Sequence, residues 1–260
     1  MKVATWNVNS VRSRLDRVVA WLAANQPDAL CLQETKTEDK TFPFEALQAA
    51  GYHIAHHGQK TYNGVAILSK TPAEDVVRGF GDDEDDPQSR FIAGTVGGVR
   101  ILSAYIPNGS ELDSPKYQYK LRWLARLRQH LDRHYTKDRP LLLCGDFNVA
   151  PDERDVHDPG KWERTVLFSP DIRAALAEVA KFGLVDTFRL HHQDGGKFSW
   201  WDYRMLAFPR NEGLRIDHVF ATAPIADRCK AASIDREERK GKQASDHAPV
   251  VVEIDLPSAA

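Results

Sequence analysis

The chain has 260 residues, of which 42% are hydrophobic and 28% charged, and a net charge of −2. That is enough apolar chain for one large domain with a substantial core, in the composition range of soluble globular proteins. No apolar run reaches signal-peptide or membrane-spanning length, so the expectation is a cytosolic protein. The near-neutral charge means a polyanionic partner would need a local basic surface or a metal to hold it.

Residues 2–8 alternate and stop at Asn7-Val-Asn9, which predicts a strand and a polar turn. Ser13 and Asp16 have capping-box spacing ahead of a helical stripe of Leu15, Val18, Val19 and Leu22 that Pro27 closes. Residues 29–32 predict a buried strand ending in the polar set Gln33-Glu34-Thr35-Lys36. A short helix over 44–50 stops at Gly51, and strands follow over 52–56, 64–69, 74–78, 91–96 and 99–105, with Gly97-Gly98 as a hairpin signal. The acidic run 82–86 has the composition of a solvated loop. Ser114-Pro115 starts a helix that runs to about Tyr135.

Four apolar residues between Pro140 and Gly145 predict a strand buried on both faces. It ends in Asp146 and Asn148, which would share one face if the backbone stays extended. The alternative is a turn that uses Asp and Asn for their backbone-bonding habits. Residues 151–165 read as a long polar loop, a length that is usually functional. Ser169-Pro170 opens a helix with Ile172, Ala175, Leu176 and Val179 on one face and Gly183 beyond its end. Strands over 214–221, 229–235 and 249–255 close the chain. Cys31, Cys144 and Cys229 lie in apolar strand-like runs without CxxC spacing, which suits reduced core thiols and not a zinc site. Many strands in two β-rich halves with few helices, and no linker, predict a layered α/β sandwich forming one domain over 1–260.

Polar residues recur at the strand ends: Asn7, Glu34, Tyr105 with Asn108, Asp146 with Asn148, and Asp246-His247 ahead of Pro249. Any one of them could merely end a strand. Asp217 lies inside an apolar run, where a carboxylate needs a partner, and histidine is the natural one. Glu34 and Asp246, with Asn7, Asp146 and Asn148, make an oxygen donor set suited to Mg²⁺. A divalent ion, a carboxylate base, an orienting Asn and a protonatable His suit attack on a phosphodiester.

The segments Thr5-Trp-Asn-Val-Asn9, Leu32-Gln-Glu-Thr-Lys36, Gly64-Val-Ala-Ile-Leu-Ser69, Tyr105-Ile-Pro-Asn108, Gly145-Asp-Phe-Asn148, Gly213-Leu-Arg-Ile-Asp217 and Ser245-Asp-His-Ala-Pro249 occur in this order over nearly the whole chain. Together they resemble the exonuclease III and abasic-site endonuclease family, within the endonuclease/exonuclease/phosphatase superfamily. The resemblance implies a four-layered α/β sandwich, two packed mixed β-sheets flanked by helices, with the site at one edge. It implies Mg²⁺-dependent cleavage of DNA phosphodiesters, with Mn²⁺ as substitute, at duplex abasic sites or 3′-blocked ends, by a monomer that needs no membrane.

The resemblance also implies roles. Glu34 would be the main metal ligand, with Asp246, Asn7, Asp146, Asn148 and His247 contributing. Asp146 would position or deprotonate water, Asn148 would hold the phosphate, Asp217 would orient His247, and Tyr105 would act near the leaving group. Trp200, Leu214 and Ile216 would receive a flipped-out abasic sugar, and Asn9, Lys36 and Asn108 would contact the substrate. Lys60, Lys116, Arg204 and Lys242, with Lys36, are candidates for the DNA-facing surface, and the 82–86 loop is expected away from it. His218 and Val166-Leu167 depart from the family pattern and bear on the balance of abasic incision, 3′ exonuclease and 3′ phosphatase. The competing readings are a phosphatase of the same superfamily acting on inositol phosphates or lipids, and a binding module without catalysis.

Overall fold

A computed structural model describes residues 1–256 apart from positions 83 and 85. In chain order the elements are β1 (Lys2–Asn7), α1 (Leu15–Asn25), β2 (Ala29–Gln33), α2 (Phe44–Ala49), β3 (His53–His57), β4 (Val65–Ser69), β5 (Glu74–Arg78), β6 (Phe91–Val96), β7 (Val99–Tyr105) and α3 (Pro115–His134). They continue with β8 (Leu141–Asp146), α4 (Pro159–Trp162), α5 (Pro170–Ala180), β9 (Leu184–Asp186), α6 (Thr187–His191), β10 (Asp217–Thr222), α7 (Ala223–Ala226), β11 (Cys229–Ile234) and β12 (Val250–Ile254).

The strands form two six-stranded sheets, ordered β11-β12-β1-β2-β4-β3 and β5-β6-β7-β8-β10-β9. Each is mixed, because β1–β2 and β7–β8 pair in parallel while their neighbours run antiparallel. Alternation along the strands sorts the side chains into three cores. Val3, Cys31 and Ile67 of one sheet meet Ile101, Cys144 and Val219 of the other between the sheets. Outside the first sheet, Trp6 and Leu30 pack with Val18, Trp21 and Leu22 of α1 and Leu47 of α2. Outside the second, Leu102, Leu143 and Phe147 pack with Leu124 and Leu127 of α3 and Ile172 and Leu176 of α5. The four layers expected from the sequence are therefore present.

The fold gathers strand ends at one edge. The C-terminal ends of the parallel pairs β1–β2 and β7–β8 meet the N-terminal end of β10 and the turn that leads into β12. Gly145 permits this: a Cβ there would sit 1.9 Å from the Ala104 carbonyl oxygen, so only glycine lets β8 run this close to β7. Beneath the edge, Gln33 joins the sheets, accepting from Thr5 Oγ1 at 3.1 Å and donating to Ser103 Oγ at 3.1 Å.

Several expectations change in detail. Helix α1 has no capping box: Arg14 precedes it without a side-chain cap, and the Ser13 hydroxyl meets that of Ser10 instead. Helix α3 is capped as expected, with Ser114 Oγ accepting from the Tyr117 N–H. The 151–165 segment is not open loop, since Asp152 caps a turn of 3₁₀ helix and α4 follows. The strand expected over 214–221 starts later, at Asp217. Leu214 pairs with Trp200, and the ladder to β8 begins only at Asp217. The short β9 and α6 were not foreseen. Of the acidic run, Asp82, Glu84 and Asp86 do not stand free in solvent but close on Arg126 of α3 at 2.8, 3.2 and 2.9 Å, while positions 83 and 85 lie outside the described residues. Cys31 and Cys144 are buried and Cys229 is half-buried, all as free thiols. Among the described residues no helix is long and apolar enough to cross a membrane.

Candidate active site

Tyr105, Asp146 and Asp217 occupy one row across β7, β8 and β10: Asp146 pairs with Tyr105 on one side and Asp217 on the other. All three fall on the inner face of their sheet, and Asn7, at the end of β1, faces them from the other sheet. The Asn7 amide bridges two carboxylates, donating from Nδ2 to Glu34 Oε1 and to Asp146 Oδ2, each at 2.8 Å. Its oxygen accepts from the Asn9 N–H, so Asn7 stands here as a donor to the carboxylates and not as an oxygen ligand.

The Asp146 and Asn148 pair is built by a turn. Asn148 is left-handed, at φ 51°, and its backbone N–H donates to Asp146 Oδ1 at 2.9 Å. The pleat therefore does not bring the two side chains together; the Asx-type turn does, and it gives the Asn148 amide its own contact with Asp146 Oδ2 at 3.3 Å. Asn148 Oδ1 accepts from Asn108 Nδ2 at 3.1 Å. Glu34 is also left-handed, at φ 49°, immediately after β2. Two strained non-glycine positions at the same edge are what a site held together by its surroundings shows.

Asp217 is wholly buried, and His247 Nδ1 lies 2.8 Å from its Oδ2. Ser199, which the sequence reading missed, donates to the same oxygen at 2.6 Å and accepts from the Asp217 N–H. The other histidine nitrogen faces Asp146 Oδ2 at 3.8 Å. Burial works against charging His247, but Asp217 and Asp146 outweigh it and push its pKa up to about 10. This raised pKa favours the imidazolium, with a proton on the nitrogen that faces Asp146. A protonated nitrogen cannot ligate a metal, so His247 serves as a donor.

Burial raises the Asp146 pKa to about 7, with Asp217 and Glu34 adding to the rise and His247 and Asn7 opposing it. Burial also works against the charge of Glu34, but Lys36 and the Asn7 amide hold its carboxyl below the usual range. Lys36 Nζ is 2.8 Å from Glu34 Oε2 and also donates to Asn9 Oδ1, so this lysine is held at the site. For Tyr105, burial and then the Glu34 charge push the phenol well above its usual value, which keeps it a proton donor.

Ligating atoms of Glu34, Asp146 and His247 lie within 4.8 Å of one another. With His247 as a cation, the oxygen donors left are Glu34 and Asp146. Two carboxylates, one of them buried, are the oxygen donors that suit a hard divalent ion. Asp246 is turned elsewhere: it accepts from Asn9 Nδ2 and from Trp200 Nε1, each at 3.0 Å. Asn148 turns its Nδ2 towards Asp146 and its oxygen towards Asn108 Nδ2.

The expected sugar pocket divides. Leu214 and Ile216 are 0% and 1% exposed and belong to the core under α3 and α5, so neither can touch a substrate. Trp200 is half-buried and lines a cavity of about 390 Å³ with Trp162, His157, Lys161 and Arg204. Asn108 and Lys116 line a second cavity, of about 600 Å³, with Tyr105, Arg90 and Tyr62. Arg90 stacks on the Tyr105 ring with its guanidinium carbon 4.6 Å from the centroid, a contact no sequence signal announced. Tyr119 lines this cavity and donates to Asp86, so Asp86 borders the cleft, though with its charge paired to Arg126. Lys60 and Lys242 are exposed, and Arg204 is paired with Asp202.

His218 is not part of the site. It points away from Asp217, fully buried, taking a hydrogen bond from Arg215 at 3.0 Å and lying 2.8 Å from the Val149 carbonyl. Burial and then Arg215 push its pKa down to about 4, so it is a neutral link in a buried network with Asp155 and Asp186.

Residues 4–247 match the model of the endonuclease/exonuclease/phosphatase family. The chain belongs to this family. A relative named exodeoxyribonuclease III, from Haemophilus influenzae, is 37% identical over 97% of this chain and 99% of its own length. Among solved structures, an AP endonuclease from Archaeoglobus fulgidus superposes with a TM-score of 0.96 at 40% identity, over 98% of this chain and all of the other. The 3′ phosphatase NExo (D146N) from Neisseria, bound to product DNA hairpin, does so with a TM-score of 0.94 at 44% identity over the same shares. As in other members of the endonuclease/exonuclease/phosphatase family, the acidic cluster is where a divalent metal would be held.

Proposed function

We propose that this chain is a Mg²⁺-dependent DNA phosphoesterase that incises duplex DNA 5′ to abasic sites and trims or unblocks 3′ ends. The observation that carries the reading is the Asp217–His247–Asp146 line beside Glu34: an imidazolium, a carboxylate of near-neutral pKa and an oxygen donor set converge at one edge. Bound by Glu34 and Asp146, the metal would supply Lewis-acid stabilisation of charge on the phosphate. Asp146, beside His247 and the Asn148 amide, would position the attacking water or take its proton. His247, kept charged by Asp217, would donate to a phosphate oxygen, and the Asn148 amide would add a second donor. Tyr105, protonated and backed by Arg90, would lie near the leaving oxygen. Double-stranded DNA would run along the Asn108 and Lys116 cavity and past Trp200, and the monomer contains every group named.

The test is a duplex oligonucleotide with one abasic analogue, incubated with Mg²⁺ or with chelator. A single nick 5′ to the lesion that vanishes in chelator supports the reading, and equal rates in chelator end it.

A second reading, with 3′-end processing dominant, draws on Val166 and Leu167, which are buried and packed into the core under α3. Val166 packs behind Gly109, which lines the cavity of about 600 Å³, so it would act on the cleft only through that turn. If Trp200 selects the small abasic sugar, Trp200→Ala should lower abasic incision several-fold more than 3′-end trimming, since the metal ligands stay in place for both. The ratio of the two rates in one buffer decides, and an unchanged ratio would assign Trp200 to packing.

A further inference from the structure

Lys120 lies on the apolar stripe of α3, between Tyr117 and Leu124, and is fully buried. Its Nζ donates to three backbone carbonyls, those of Asn108 at 3.0 Å, Asn148 at 2.7 Å and Val166 at 2.6 Å. Among the described residues, no other donor reaches these three oxygens. Burial pushes the lysine pKa down to about 7, against the charge of Asp146, yet three carbonyls each require an N–H, so the cage holds the ammonium form. Gly109, at φ 98°, closes over the lysine stem, and a Cβ there would lie 3.2 Å from Lys120 Cδ.

The three carbonyls come from three separate segments: the turn after β7, the turn after β8, and the stretch before α5. Two carry a group assigned to the cleft: Asn108 donates to the Asn148 side chain, and Asn148 holds its left-handed backbone beside Asp146. The third, Val166, packs behind Gly109, which lines the Asn108 cavity. We propose that Lys120 is a positioning residue for the reaction: it pins the carbonyl of Asn148, and so fixes where the Asn148 amide meets Asp146 and the phosphate. The lysine touches no reacting atom, and the inference rests on the phosphoesterase reading above.

The experiment measures kcat and KM on an abasic duplex with Mg²⁺ for wild type, Lys120→Met, Lys120→Arg, Asn148→Ala and the double variant Lys120→Met/Asn148→Ala. Misplacing Asn148 should lower kcat of Lys120→Met by about 10²-fold with KM changed only a few-fold, and Lys120→Arg, which keeps the charge and donors, should recover much of the loss. Because Lys120 acts through Asn148, the methionine change should cost less than about 3-fold more in the Asn148→Ala background. Additive losses, or a Lys120→Met enzyme within about 3-fold of wild type, would overturn the proposal. If Lys120→Met fails to fold, Lys120→Gln, which keeps two N–H donors, takes its place in the same cycle with the same criteria. A wild-type enzyme that leaves the abasic duplex intact would instead refute the functional reading.

Discussion

Asp146 is 1% exposed and must still carry a charge to do chemistry. Burial of a carboxylate is costly without partners, and here two amides, a backbone N–H and an imidazolium supply them. The partner that matters most is His247, whose charge depends on Asp217 behind it. If the two act as one unit, Asp217→Ala and His247→Ala should each lower kcat by a similar large factor, and the double variant should lose little more. A double-mutant cycle on kcat measures this, and additive losses would contradict the proposed link. That Asp217 needs a histidine was legible in the sequence because an acid within an apolar strand demands a partner, while the choice of His247 came from the family resemblance. The orientation of Asn7 was not: its residue type fits a metal ligand and an amide bridge equally, and only the neighbouring carboxylates decide. Lys120 left a fainter trace, a lysine on the apolar stripe of a helix that otherwise reads 117, 124, 127, 131.

At the scale of elements, the row Tyr105–Asp146–Asp217 exists because β7, β8 and β10 are adjacent and in register. Gly145 sets the closeness of the first two. Gly145→Ala would drive a methyl into the Ala104 carbonyl, and overpacking of this kind costs about 1–3 kcal/mol or more. The urea midpoint should fall accordingly, and incision should fall further than stability alone explains, because Tyr105 and Asp146 flank the clash. An unchanged midpoint would show that the ladder gives way freely. The sequence placed the strand and its acidic end correctly and left Asp146–Asn148 either extended or a turn, and the structure has the turn. Similarly, Leu214 and Ile216 fitted a pocket by residue type, yet the buried Arg215 between them, held by Asp155 and Asp186, belongs to a network no local pattern reveals.

Across the whole molecule, that network sets a pH response. His218 is neutral in the fold, with its pKa down near 4, whereas an unfolded histidine titrates near 6.5. Below pH 6.5 the unfolded chain binds the extra proton, so this group stabilises the fold fully above that pH and loses its contribution as pH falls towards 4. Between pH 7 and pH 5 the loss is about 2 kcal/mol for a fully buried group. Asp146, with its raised pKa, shifts stability in the opposite direction over this range, so the two must be separated by a variant. Urea unfolding in chelator at both pH values should show wild type losing about 2 kcal/mol relative to His218→Asn as the pH is lowered, and parallel behaviour would mean His218 is not held neutral.

The central claim is that one edge of the sandwich holds a divalent ion through Glu34 and Asp146 and uses it to cleave DNA. The most direct measurement is the rate of abasic-duplex incision by Glu34→Gln, relative to wild type, in saturating Mg²⁺. Glutamine keeps the shape and removes the charge, so losing the ion's stabilisation of the phosphate should slow incision by on the order of 10³-fold. A Glu34→Gln enzyme within a few-fold of wild type would contradict the claim.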